Sequence, residues 1–127
     1  PAKFRKALDS ANDKTFVITR GFDECLTLYP ICEWNIVEQQ LASLSSIRNR
    51  NRNFVRSIVR YATYVQYDSQ GRIVIPENLK EFSSIFKEVV IIGMINKIEI
   101  WNPEKINSHS DKIDADEFDD LADDISF

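Results

Sequence analysis

The chain has 127 residues, 43% of them hydrophobic, with three Gly and four Pro, enough for one compact domain or two very small ones with little structureless linker. The net charge of −4 hides an asymmetry: residues 111–127 hold eight acids against Lys112, a net −7, while the rest hold 15 bases and 12 acids, a net +3. A mildly basic body ahead of an acidic tail leaves nucleic acid open as a partner, and no stretch approaches the roughly 18 apolar residues of a membrane span.

In chain order, Lys14-Thr15-Phe16-Val17-Ile18 and Leu26-Thr27-Leu28-Tyr29 read as strands. Residues 33–44 place Trp34, Val37, Leu41 and Leu44 on one stripe at helical spacing, with Pro30 just upstream of the expected start. Polar residues 43–52 read as a loop. A second helix is expected over residues 53–62, with Phe54, Ile58 and Tyr61 on one face and Arg52, Arg56 and Arg60 opposite. Tyr64-Val65-Gln66-Tyr67 alternates as a strand, enters the polar turn Asp68-Ser69-Gln70-Gly71-Arg72, and leaves it as a second, β-branched strand, Ile73-Val74-Ile75-Pro76. In the tail, Phe118, Leu121 and Ile125 recur at i, i+3 and i+7; an amphipathic helix and disorder are both open there, given the density of acids.

The two halves echo each other. Pro1-x-x-Phe4-Arg5 corresponds to Pro76-x-x-Leu79-Lys80, residues 14–18 to residues 87–91, and residues 26–29 to Ile98-Glu99-Ile100-Trp101. A half of this size buries its own apolar face poorly, so the two are expected to share one core.

The turn at residues 68–72 carries the most chemistry. An Asp opening such a turn can accept from the backbone two residues on, Gly supplies positive φ, and the next residue is held out at the tip. That residue, Arg72, has a planar donor fork suited to phosphate or to a guanine edge. On spacing alone the motif is equally a plain hairpin turn with a solvated Arg.

The run from Tyr67 to Pro76 resembles the Asp-x-x-x-Arg hairpin of the MraZ proteins, which belong to the wider AbrB-like group of DNA-binding folds. Thr19-Arg20-Gly21-Phe22-Asp23-Glu24-Cys25-Leu26-Thr27-Leu28-Tyr29-Pro30 with Glu33-Trp34 is similar to that family's first-half signature, and residues 90–101 to its second-half counterpart. The likeness spans residues 1 to 106. Family members carry two such hairpins and this chain has the second, so it is expected to lack an N-terminal strand pair, through truncation, proteolysis or disorder. The resemblance implies an α+β fold of two AbrB-like β-hairpin half-units forming a small barrel-like core with a helical pair inserted between them. The expected divisions are 1–32, the remainder of the first half-unit; 33–62, the helical pair; 63–106, the second half-unit; and 107–127, the acidic tail.

It also implies a cytoplasmic, nucleoid-associated repressor that binds double-stranded promoter DNA at repeated short boxes, at the promoter of the division and cell-wall gene cluster. Such a protein assembles as a homo-oligomeric ring. Arg72 is then the DNA-contacting residue; Asp68 and Gly71 shape the loop, and Ser69 and Gln70 reach phosphate or a base edge more weakly. The alternative is a protein-interaction or antitoxin-like module on the same barrel, whose acidic tail grips a basic partner.

The remaining residues of interest read more plainly. Arg48, Arg50, Arg52, Arg56 and Arg60 form an acid-free run, read first as a solvated helix face pairing with acids elsewhere and second as another DNA surface. Lys3 and Arg5 flank the missing hairpin and cap or solvate a short helix. Trp34, Trp101, Tyr29 and Phe54 are expected in the core rather than as base-stacking platforms. Cys25 reads as a small core residue and Cys32 as a second reduced thiol; with a single His, His109, no zinc set is recognisable. The tail acids have no nucleophile or metal set beside them, so neither enzymatic activity nor a cofactor is expected.

Overall fold

In the computed structural model, residues 15–110 and 113–125 are described; Lys3, Phe4 and Arg5, with the helix expected around them, lie outside these, as do Asp111 and Lys112. The described chain is α+β. Its strands are β1 (Thr15–Arg20), β2 (Leu26–Pro30), β3 (Thr63–Gln66), β4 (Val90–Gly93) and β5 (Ile98–Trp101). Its helices are α1 (Ile31–Ala42), α2 (Asn49–Val59), α3 (Glu77–Ser83), α4 (Pro103–Ser110) and α5 (Ala115–Ala122).

The strands form one sheet in the order β3-β1-β2-β5-β4, every neighbour antiparallel. The described strands leave β3 and β4 at open edges, without barrel closure among them. At the centre, β2 meets β5 with Leu26 opposite Ile100, Thr27 opposite Glu99 and Leu28 opposite Ile98. The pairing is reciprocal: Leu26 and Leu28 sit across from the residues that match each other's positions in the second half.

β1 is buried on both faces, and its period-two alternation divides the core. Phe16 and Ile18 point into one cluster with Leu26, Leu28, Leu79 and Ile100, closed by α3. Val17 points into the other, with Trp34 of α1 and Ile58 of α2. Thr19 is buried on this second side, and its hydroxyl donates to the Ile58 carbonyl at 2.8 Å, so burial costs it no hydrogen bond. The expected helical stripe of α1 packs here through Trp34, Val37 and Leu41, while Leu44 falls beyond the helix end and is exposed.

Three expectations are corrected. The second helix starts at Asn49 rather than in the fifties, so the loop is residues 43–48. Long side chains inside the helix hold that loop: Arg52 donates to the Ser46 and Ile47 carbonyls at 2.8 Å each, and Asn51 to the Ser45 carbonyl at 3.1 Å. These contacts satisfy loop acceptors near a helix start whose Arg48 offers no side-chain cap. Second, Ile73, Val74 and Ile75 are not a ladder strand. Ile73 and Ile75 pack against the α3-side core while Val74 stays 81% exposed, so the segment keeps a strand's alternation but finds no ladder partner among the described residues. Third, Phe54 is not core: it is 41% exposed and stacks on Phe22, itself 73% exposed.

Helix α4 is absent from the sequence reading and runs through the expected boundary at residues 106 and 107. Its signal was present as Asn102-Pro103-Glu104. The Asn102 side chain accepts from the Glu104 and Lys105 N–H groups, and Pro103 takes the first helical position. In the tail, Asp114 caps α5 by accepting from Glu117 N–H at 2.8 Å, so the helical alternative is the one formed.

Candidate nucleic-acid interface

Tyr67 roots the turn. Its ring is buried against Phe16, 5.4 Å between centroids, while the five residues after it leave the protein surface. The Gly71 N–H donates to the Asp68 carbonyl and the Asp68 N–H to the Arg72 carbonyl, both at 2.9 Å, closing a tight reversal. Gly71 lies at φ 79°, where any Cβ would be strained.

Asp68 organises everything inside that reversal. Its Oδ1 accepts from the Gln70 N–H at 2.9 Å and the Arg72 N–H at 3.0 Å. Its Oδ2 accepts from Arg72 Nε at 3.0 Å, so the same carboxylate that shapes the loop also orients the guanidinium. These donors hold the Asp68 carboxyl below the usual carboxylate range: the Arg72 backbone N–H first, then the Gln70 N–H and the Arg72 side chain, against a smaller opposing cost of desolvation.

The Arg72 side chain is 70% exposed. Only its Nε is engaged among the described residues, which leaves the Nη edge without a hydrogen-bond partner there. That edge is the bidentate face of a guanidinium. Ser69 and Gln70 are exposed beside it. The structure thus brings Asp68, Ser69, Gln70, Gly71 and Arg72 together in one loop, and the feature that spacing did not reveal is the direct Asp68–Arg72 ion pair.

The arginines around α2 are held differently. Arg56 reaches Asn53 Oδ1 at 3.2 Å, Arg60 lies 5.2 Å from the Tyr61 ring centroid, and Arg52 is spent on loop carbonyls. Among the described residues none pairs with a carboxylate, so the acids expected to neutralise this face are not met there.

The first-half signature is structural. The Gly21 N–H donates to the Cys25 carbonyl at 2.7 Å, and a Cβ on Gly21 would lie 2.6 Å from Cys25 Sγ. Burial, followed by the nearby Glu99 and Asp23 carboxylates, pushes the Cys25 thiol up to about 12, while Cys32 is exposed; both are unbridged. Trp34 and Trp101 are buried, and His109 rests on Trp101 with ring centroids 5.0 Å apart. Among the described residues no group of three or more His, Cys, Asp or Glu is placed to hold a metal, and no helix is long and apolar enough to cross a membrane.

The family model described as "MraZ protein, putative antitoxin-like" matches the chain over residues 1–57 and again over residues 58–126. The transcriptional regulator MraZ of Pediococcus pentosaceus is 41% identical over 125 residues, covering 98% of this chain and 84% of that protein. That of Halothermothrix orenii is 47% identical over 111 residues, covering 87% and 75%. The Limosilactobacillus reuteri protein of the same name is 42% identical over 126 residues, covering 99% and 85%.

Proposed function

Because the chain belongs to the MraZ family, we propose that it is a transcriptional regulator that binds double-stranded DNA through the exposed turn at residues 68–72. The family is one of regulators and not of enzymes. Arg72 is the reading residue, Asp68 and Gly71 hold it in place, and Ser69 and Gln70 border the contact. The observation that carries this reading is the Asp68 clamp, which engages Nε of a 70% exposed side chain and leaves its Nη groups without a partner among the described residues. A side chain oriented before contact loses less freedom on binding, so more of its contact energy appears as affinity.

One such loop makes a small interface. Affinity at the operator then comes from several copies, joined in a closed homo-oligomer, placing their turns on repeated short boxes. A chain of two half-units with a helical pair between them is supported by the double family match and the reciprocal β2–β5 register, with the second half-unit extended through helix α4 to Ser110 before the acidic tail. The promoter of the division and cell-wall gene cluster is the proposed site of action, and repression the proposed outcome.

The test is fluorescence anisotropy of the full-length protein on its own upstream promoter DNA across a salt series, wild type against Arg72→Ala. Wild type is expected to bind saturably, with affinity falling steeply as salt rises. Loss of one bidentate contact costs about 1–3 kcal/mol, or roughly fivefold to 150-fold in affinity for each turn engaged. Equal binding of promoter and scrambled DNA by the wild type at every salt concentration would sink this reading.

A further inference from the structure

Helix α5 is amphipathic, yet among the described residues nothing covers its apolar side. None of its residues is buried, and Phe118, Leu121 and Ile125 are 58%, 55% and 59% exposed. Phe118 and Leu121 lie one turn apart on the helix and Ile125 follows just past its end, while residues 114–125 carry seven acids and no base. Elsewhere on the same chain lies the inverse surface. A groove of about 340 Å³ between the end of α1 and the face of α2 has Leu41, Leu44 and Val55 in its lining and Arg52 and Arg56 among its walls. Residues 39–67 around it hold five arginines and no acid.

We propose that the acidic helix α5 of one copy docks into the α1–α2 groove of a second copy. Phe118 and Leu121 enter the apolar floor. Glu117 in the first turn of α5 and Asp124 just past its end flank these apolar residues with negative charge. Arg52 is largely spent on the loop, so Arg56, whose side chain among the described residues bonds only to Asn53, is the guanidinium left to meet a carboxylate. Both complementary surfaces stand exposed within one chain, so the match is met between molecules, head to tail, rather than within one. Docking covers apolar area on both sides and neutralises the acid-free arginine face, which an overall charge of −4 does not do locally.

Disulfide trapping on the full chain tests this without DNA, so its outcome is separate from that of the regulator reading. Cys25 is buried and its thiol is far from ionised near neutral pH, so Cys32→Ser alone gives a quiet background. One preparation then carries Val55→Cys and the other Leu121→Cys; the two are mixed under mild oxidation. A covalent pair is expected at about ten times the yield of a control mixture in which Tyr64→Cys, on exposed β3, replaces Val55→Cys. Arg56→Glu should lower the yield about tenfold, and Asp124→Lys on the partner should restore it. Thermal melts of each variant confirm that the fold is intact. Yield no higher than the Tyr64→Cys control overturns the proposal. So does a chain carrying both cysteines that closes only on itself at every concentration, which would place α5 in its own groove.

Discussion

The turn at residues 68–72 and the helix α2 both present arginine to solvent, but by opposite means. Arg72 is fixed by an ion pair to Asp68 at 3.0 Å, inside a loop whose backbone is tied to the same carboxylate. The α2 arginines have no carboxylate among the described residues and rest on Asn53, on Tyr61 or on loop carbonyls. A fixed guanidinium suits directional readout, where geometry decides between bases. Loosely held ones suit phosphate, where charge matters more than angle.

The comparison breaks most sharply at Arg72→Lys. Lysine keeps the charge but loses the planar fork, so preference for operator over scrambled DNA should fall by about 1–3 kcal/mol per contact while non-specific binding persists; competition anisotropy measures both. If Lys preserved the preference, directional readout by this residue would be wrong.

Asp68→Asn is expected to have the next largest effect. It removes the charge that orients Arg72 while keeping an acceptor for the loop, so specific affinity should drop less than in Arg72→Lys, with little change in melting temperature. The pH dependence has a definite sign. A carboxyl held low in the folded state contributes order that is fully present above the ordinary Asp range and is lost as pH falls through its depressed folded value. Amide spectra of the Gln70 and Arg72 N–H groups should therefore stay constant near neutrality and shift only below the ordinary Asp range, and Asp68→Asn should abolish that shift.

On α2, Arg56→Gln should weaken binding to all sequences alike and reduce the salt slope by about 1 if this face meets phosphate. A slope identical to wild type would confine DNA contact to the turn. The smallest effect concerns the root of the turn. The Tyr67 hydroxyl is buried with no partner among the described residues, so Tyr67→Phe should be neutral or stabilising by up to about 1 kcal/mol, read by thermal melting.

Much of the site was legible because its rules are local. An Asp at the head of a turn, a Gly at positive φ and an exposed Arg after it are decided within five residues, and the structure holds each in the expected role. The apolar stripe of α1 was legible for the same reason: Trp34, Val37 and Leu41 recur at the helical period whatever they pack against. The start of helix α4 is equally local, written in the Asn102 cap and Pro103, right after the last strand.

What failed to read were the places where two demands compete. Ile73 to Ile75 have every mark of a strand and pack two side chains into the α3-side core, yet no neighbouring strand among the described residues pairs with them. Phe54 has core chemistry and helical spacing but meets Phe22 at the surface. Residues 43–52 look like loop because their polarity hides that Asn51 and Arg52 turn back to hold residues 45–47. By itself, then, the sequence determined the turn, the main helices and strands and the family, since backbone propensity and side-chain period act over a few residues. Only the tertiary structure decided which apolar groups won a place inside, because burial is shared out among all segments at once, and it alone joined Arg72 Nε to the carboxylate that shapes its loop.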